Sequence, residues 1–265
     1  MPKNLSIIIT HHRTPELLDL CIKSVKENSR NINHEVIVVD SEQEEKTESF
    51  IKNKHPEIKF ISFKKNLGYS KLVNAGIKQA TRDYILIINA DIIALDGSIL
   101  KMLEYLEEHQ KVGMVGPQLL DFSNKIQISC FANPTFAALL SRRTFFKKTK
   151  WGKRALDEFT MSNWDRNSEK EVDWIQGSAI MVRKKMIDRV GPWDERFFMY
   201  FEDADWCRRF WQNGYKVVYL SSAKMAHYYH RSSKKFGAIF DIIFNRYTRT
   251  HIISAIKYFS KHRNK

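Results

Sequence analysis

The first third of the chain alternates short β-branched runs with amphipathic helical patterns, and no other feature constrains the fold as strongly. LSIIIT (residues 5–10) has no polar alternation, as suits a strand buried on both faces of a parallel sheet. TPELLDLCIKSVKEN then carries helical spacing: Thr14 stands at the cap, Pro15 in the first turn, and Leu17, Leu18, Cys21 and Val25 on one apolar stripe. EVIVVD (35–40), IKFISF (58–63) and YILIIN (84–89) repeat the strand pattern, with helical spacing over 42–54, 70–80 and 97–109. Such alternation predicts βαβ units with right-handed crossovers, an α/β fold built on a mostly parallel sheet.

Beyond residue 110 the pattern changes. VGMVGPQLLDFSNKIQISC (112–130), VDWIQGSAIMVRK (172–184) and GYKVVYL (214–220) read as strands of mixed direction, and Gly177 lets backbone approach a ligand closely. Residues 140–170 are a poorly patterned basic insertion. At the end, Phe236, Phe240, Ile243 and Tyr247, then Ile252, Ile253, Ile256 and Phe259, recur at helical spacing among Lys and Arg. Two readings fit this tail: a helix or helix pair packed on the core, or a basic amphipathic face lying on an anionic membrane.

A chain of 265 residues with 43% hydrophobic and 12% aromatic content can bury a sizeable core and is not disordered. Cys21, Cys130 and Cys207 are far apart and lack CxxC spacing, so neither a disulfide framework nor a zinc site is expected. MPKNLSIIIT has too short an apolar run for a signal peptide, and no run approaches the roughly 18 residues of a membrane span. A cytoplasmic location is the expectation.

The net charge of +14 points to an anionic partner: nucleic acid, phospholipid headgroups or a phosphorylated small molecule. It is unevenly spread. From Trp206 to Lys265 there are 13 Lys and Arg against one acid, Asp241, and RRTFFKKTKWGKR (142–154) has none.

Open α/β sheets bind ligands outside the carboxyl ends of their strands. There the sequence sets Thr10-His11-His12-Arg13, Asp40-Ser41-Glu42, Lys64 to Tyr69 with Asn66 and Gly68, and Asn89-Ala90-Asp91. No GxGxxG follows the first strand and no GxxxxGK[ST] occurs, so glycine-rich phosphate cradles are excluded. A phosphate here needs another counter-charge, which a metal held by Asp91 would supply.

FFMYFEDADWCRRF (197–210) packs Glu202, Asp203 and Asp205 into an aromatic stretch of a basic chain. If a helix starts near Glu202, the acids suit its positive end and Asp205 can pair with Arg208 or Arg209. A functional cluster is the other reading.

The order of these pieces resembles the family 2 glycosyltransferases of GT-A fold, and among them the bacterial rhamnosyltransferase-like branch. The resemblance runs from Leu5 to Ser233. It is carried by SIIIT, EVIVVDS, NLGYSKLVNAGIKQA, YILIINADI, DWIQGSAIMVRK, VGPWDERFFMYFEDADWCRRFWQNGYKV and AHYYHRSS. It implies one glycosyltransferase domain over 1–233, with a nucleotide-binding half (1–110), an acceptor-binding half (111–233) and a basic amphipathic helical tail (234–265).

The resemblance implies transfer of a sugar from a nucleotide diphosphate to an acceptor hydroxyl with inversion, assisted by Mn2+ or Mg2+ bridging the diphosphate. Asp91 matches the second acid of the family's D-x-D motif, whose first position is here Asn89, a neutral ligand at best. His227 matches a histidine that helps hold the metal or diphosphate, with His230 a nearby rival. Thr10 and Asp40 look like nucleoside-pocket residues, Asn66 and Gly68 like its wall; Asn74 has a packing role. Asp203 matches the general base, its pKa raised by aromatic and acidic neighbours, while Glu202 orients the acceptor or a cation and Asp205 forms a salt bridge behind the site.

By the same resemblance the donor is dTDP-rhamnose, with a UDP-linked hexose the close alternative. The acceptor is a glycan or polyprenyl-diphosphate-linked sugar of cell-surface polysaccharide synthesis, reached from the inner face of the plasma membrane by the basic insertion and tail. A nucleotidyltransferase would carry a glycine-rich loop after the first strand, and THHRTPE has no glycine. A nucleic-acid-binding protein would explain the charge, but no helix-turn-helix, RNP or zinc signature occurs. A non-catalytic scaffold conflicts with the intact Asp91, Asp203 and His227.

Overall fold

Four parallel strands nucleate the sheet: β1 (Asn4–His11), β2 (Asn33–Asp40), β3 (Lys59–Ser62) and β4 (Tyr84–Asn89), side by side in the order β3-β2-β1-β4. The computed structural model to which they belong describes residues 4–228 and 245–263. Both faces of β1 are buried, as its unbroken apolar run requires. Ile7 and Ile9 join one core with Leu18, Cys21, Ile22 and Val25 of helix α1 (Pro15–Asn28). Ile8 faces the opposite core with Leu72 and Val73 of α3 (Tyr69–Gln79). The alternation is the period of two of a strand, and each such side chain contributes about 1.5–3 kcal/mol by burial. Thr14 does hold the N-cap position of α1, but its side chain makes no capping bond.

The second half builds outward from β4. Chain order gives α2 (Glu45–Lys54) before α3, then β5 (Ile92–Ala94), α4 (Ser98–Glu108), β6 (Val112–Leu120) and β7 (Cys130–Phe131). There follow α5 (Phe136–Arg143), a 3-10 turn (Phe145–Lys148), α6 (Lys150–Thr160), β8 (Lys170–Glu171), β9 (Trp174–Ile175), β10 (Ala179–Arg183) and α7 (Lys184–Val190). The last elements are α8 (Glu202–Gln212), β11 (Lys216–His227) and α9 (Arg246–Lys261). β10 inserts antiparallel between β4 and β6, β11 runs parallel to β6, and β5 closes the sheet antiparallel on β11. The mixed direction expected of this half is what the structure has.

The insertion is more ordered than its sequence pattern suggests. α5 and α6 each start on a threonine whose side chain accepts a backbone N–H, Thr135 from Ala138 and Thr149 from Gly152. Phe159 of α6 stacks on Phe131 at 5.0 Å, and Phe131 meets Trp174 at 4.8 Å. Phe136, Phe145 and Trp151 nevertheless stay exposed.

Of the tail, α9 is helical and packs on the body through Thr248, Ser254 and Tyr258. Tyr258 joins Phe197, Phe201 and Ala204 in one apolar cluster. The apolar stripe read from the sequence is split: Phe259 packs against this cluster and Ile252 is half-buried, while Ile253 is 52% and Ile256 64% exposed. The segment 234–244 of the expected tail, and His230, lie outside the described residues. Among the described residues no helix is long and apolar enough to cross a membrane.

Candidate active site

The carboxyl edge of the parallel strands holds the nucleoside candidates. Thr10 and Asp40 are both buried at the ends of β1 and β2. His11 accepts the Thr14 backbone N–H on Nε2 (3.0 Å), so its proton sits on Nδ1 and is donated to Asp40 Oδ1 at 2.9 Å. Asp40 Oδ2 has no partner among the described residues although it is buried. Buried acceptors are ordinarily paired by protein, ordered water or ligand, so this oxygen is available to a donor from outside the chain. Asn66 accepts the Gly68 N–H at 2.9 Å, a local turn that shapes the wall. Gly68 is required there: its φ is +94°, and a Cβ would stand 2.6 Å from the Phe198 carbonyl.

At the end of β4, Thr10 Oγ1 lies 2.9 Å from Asn89 Oδ1, and the Tyr69 hydroxyl lies at the same distance. That hydroxyl also reaches the Gly177 carbonyl at 2.7 Å, and the Gly177 N–H donates to Asp203 Oδ2 at 2.8 Å. A path of close polar contacts therefore runs from Asn89 through Tyr69 and Gly177 to Asp203, the one Tyr69 proton serving a single acceptor at a time. Gly177 serves packing as well as backbone access, since a Cβ would meet Trp193 at 2.8 Å and Asp203 at 3.2 Å. Burial, and the charges of Glu202, Asp203 and Asp91, push the Tyr69 hydroxyl pKa up, opposed by the Thr10 hydrogen bond.

Asp91 follows β4, and the β5–β11 register, which pairs Ile92 with His227, brings the histidine beside it. His227 Nε2 stands 3.7 Å from Asp91 Oδ2. Burial lowers the His227 pKa to about 4 and raises that of Asp91 to about 6. The imidazole is therefore neutral at working pH, the form that binds metal. Asp91 Oδ1 is buried with no partner among the described residues. On the far side of the ring, Gln127 Oε1 lies 2.8 Å from His227 Nδ1. Among the described residues no three His, Cys, Asp or Glu side chains converge on one point. Two protein ligands nonetheless fit a Mn2+ or Mg2+ ion, because such ions complete their shells with substrate phosphate and water.

Glu202 and Asp203 open α8, and both are buried. Tyr200 (φ 71°) and Phe201 (φ 66°), just before them, are bulky residues in the left-handed region. Strain of this kind costs on the order of 1–3 kcal/mol per residue and persists where surrounding packing enforces it. Here Phe201 stacks on Trp174 at 6.0 Å and meets Tyr258 at 5.4 Å. Burial and the charge of Asp203 push the Glu202 pKa well above the ordinary range, and its Oε2 has no partner among the described residues. Burial raises Asp203 too, but backbone N–H groups of Gly177 and Ala204, each at 2.8 Å, favour its charged form. Burial and the neighbouring charge thus favour the protonated form of Glu202, while the two N–H groups favour the charged form of Asp203.

Asp205 lies behind. It pairs with Arg209 Nε at 2.9 Å, as its sequence position allows, and also with Lys261 at 2.6 Å and His262 at 2.8 Å. Asn74 bonds both backbone groups of Trp193, the N–H at 3.0 Å and the carbonyl at 2.9 Å, the packing role expected of it. The fold thus gathers Thr10, Asp40, Asn66, Gly68, Asn89, Asp91, Gly177, Glu202, Asp203 and His227 along one edge of the sheet or its neighbouring loops. Sequence reasoning passed over three supporting residues. His11 and Tyr69 follow strand ends with no pattern that marks a role for them, and nothing in the sequence marks Gln127, 100 residues before His227.

This sheet, with a mixed second half and a D-x-D-like turn after β4, defines a GT-A-type α/β fold. The solved structure of GalNAc-T7 with UDP, GalNAc and Mn2+ superimposes with a TM-score of 0.65 at 12% identity, over 99% of this chain and 55% of that one. The mannosyltransferase PcManGT of Pyrobaculum calidifontis, in complex with GDP-Man and Mn2+, gives 0.60 at 12% identity, over 98% and 70%. The model of glycosyl transferase family 2 matches residues 6–191, and the chain belongs to that family. The match ends before Glu202, Asp203 and His227.

Among curated proteins, the N-acetylglucosaminyl-diphospho-decaprenol L-rhamnosyltransferase of Mycobacterium tuberculosis is 27% identical over 209 residues, 73% of this chain and 66% of that protein. Rhamnosyltransferase WbbL of Escherichia coli is 27% identical over 188 residues, 70% and 65% respectively. The aligned part is thus just under two-thirds of either relative's length.

Proposed function

We propose that this protein is an inverting, divalent-metal-dependent glycosyltransferase that moves L-rhamnose from dTDP-rhamnose to a hydroxyl of a glycan or polyprenyl-diphosphate-linked sugar. The observation that carries this reading is the path from Asn89 through Tyr69 and Gly177 to Asp203. It ties the metal-binding turn to a buried carboxylate of the kind a general base needs. The rhamnosyl group follows the two named relatives, and the lipid-linked acceptor follows the mycobacterial one.

Asp40 Oδ2 accepts from the nucleoside, Thr10 supports that pocket, and Asn66 and Gly68 form its wall. Residues 1–110 bind the nucleotide and 111–233 the acceptor. Asp91 and His227 hold Mn2+ or Mg2+. When bound, the cation neutralises charge on the leaving diphosphate. Protonated Glu202 donates a hydrogen bond to the acceptor. Asp203 takes the proton from the acceptor hydroxyl as its oxygen bonds to the anomeric carbon, and the electron pair of the breaking C–O bond leaves with the nucleoside diphosphate. Exposed Phe145 and Trp151 among the lysines of 147–153, with exposed Phe136, Ile253 and Ile256, support peripheral attachment to the anionic inner face of the plasma membrane.

The test is a transfer assay with an N-acetylglucosaminyl-diphospho-polyprenol acceptor and either dTDP-rhamnose or UDP-hexoses, reading released nucleoside diphosphate and the glycosylated lipid. Rhamnosylated lipid is expected. Product from a UDP-hexose alone discards the rhamnose and keeps the reaction class; release with no transfer from any donor contradicts the proposal.

A further inference from the structure

We infer that Gln127 is a positioning residue of the metal site: its side chain fixes the tautomer and ring orientation of His227, so that Nε2 is the nitrogen presented beside Asp91. This rests on the reading of Asp91 and His227 as the metal-holding pair.

Gln127 Nε2 donates to the main-chain carbonyl of His227 at 3.0 Å. A carbonyl only accepts, so this contact identifies the nitrogen end of the carboxamide. The other end is therefore the oxygen, and it lies 2.8 Å from His227 Nδ1. Two acceptors do not bond, so Nδ1 carries the ring proton. In a neutral imidazole that leaves the lone pair on Nε2, the atom 3.7 Å from Asp91 Oδ2. That separation is too long for a hydrogen bond.

Gln127 is itself held. Its backbone N–H donates to the Leu119 carbonyl at 2.8 Å, and an antiparallel bridge pairs Leu120 with Ile126. Between them, Asp121 Oδ1 accepts the N–H groups of Ser123 (2.8 Å) and Lys125 (2.9 Å), which closes the turn. The hairpin arm after β6 thus grips His227 at ring and main chain together. Partners of this kind orient metal-bound histidines generally, and their loss lowers metal affinity about 10–100-fold.

A purely structural tie between hairpin and β11 makes a different prediction, and two variants separate the two. Gln127→Met removes both contacts. Gln127→Glu keeps an acceptor for the Nδ1 proton. The experiment measures Mn2+ affinity of the nucleotide-free protein by the electron paramagnetic resonance of free Mn2+. The histidine tautomer is read by nitrogen-15 NMR, and His227→Ala is measured in parallel. The wild type is expected to show the Nδ1–H tautomer. Gln127→Met is expected to mix tautomers and weaken Mn2+ binding about 10–100-fold; Gln127→Glu loses the donor to the His227 carbonyl but keeps the acceptor for Nδ1, and so keeps the Nδ1–H tautomer and binds Mn2+ more tightly than Gln127→Met.

An Nε2–H tautomer in the wild type overturns the inference. So does a Gln127→Met variant that binds Mn2+ normally while His227→Ala does not, and so does equal damage from Glu and Met. If His227→Ala binds Mn2+ like the wild type, the metal reading itself fails and takes the inference with it.

Discussion

Replacing Asp203 by Asn should do two separable things. Each oxygen of Asp203 accepts one backbone N–H, from Gly177 and from Ala204, both at 2.8 Å. An amide offers one oxygen and one NH2, so in either orientation a buried N–H faces another donor. Leaving such a donor unsatisfied costs about 1–3 kcal/mol, and losing a buried charge offsets part of it. A net loss of about 2 kcal/mol in a chain of this size lowers the melting temperature by roughly 4–8 °C. Turnover should fall about 10²–10⁴-fold, the usual contribution of a general base. Nucleotide and metal affinity should survive, because Asp40, Asp91 and His227 are untouched. Thermal unfolding, nucleotide titration and transfer kinetics on one preparation read all three. Retained turnover within a few-fold removes Asp203 from the base role, and an unchanged melting temperature refutes the two-donor clamp.

Metal affinity should be flat above pH 7 and fall as pH drops through about 6, where Asp91 takes a proton; His227, with a pKa near 4, stays neutral through that range. Isothermal titration with Mn2+ checks this, and an affinity constant from pH 5 to 8 contradicts it. Gly68→Ala should destabilise by more than Gly97→Ala. Both have positive φ, +94° and +70°, but only at Gly68 would the Cβ strike backbone, 2.6 Å from the Phe198 carbonyl. About 1 kcal/mol is expected at Gly97 and at least twice that at Gly68, and equal melting temperatures refute the contact. Asp205→Ala should cost about 3 kcal/mol, the low end for a broken buried pair, because Arg209 keeps three backbone carbonyls and Lys261 keeps Asp194. Limited proteolysis should then cut at α9 while activity per folded molecule holds; resistance equal to the wild type contradicts that.

The first half of the fold was legible because its strands are unbroken apolar runs and its helices carry clean stripes. LSIIIT and YILIIN could hardly be anything but buried parallel strands. The insertion was not legible: Phe136, Phe145 and Trp151 are exposed in the structure, so no apolar period marks α5 and α6. Their threonine caps at 135 and 149 were the available signal. The start of α8 at Glu202 was readable from the acidic run, but the company Asp205 keeps was not. Lys261 and His262 lie more than 50 residues away and meet it only when α9 docks. That docking turns on Tyr258, while Ile253 and Ile256 of the apolar stripe face outward. The candidate residues Thr10, Asp40, Asn89 and Asp91 were visible as types at strand ends, while His11, Tyr69 and Gln127 make tertiary contacts that no local pattern encodes.

The central claim is a metal-assisted nucleotide-diphosphate site at the Asp91 turn. Thermal unfolding with dTDP, UDP, GDP or ADP, each with Mn2+, Mg2+ or EDTA, tests it most directly. Ligand at about 100 times its dissociation constant adds about 2.7 kcal/mol, readily seen as a raised melting temperature. Stabilisation by dTDP that needs the metal and is lost in Asp91→Asn is expected. Equal stabilisation in EDTA, or no shift with any nucleotide, contradicts it.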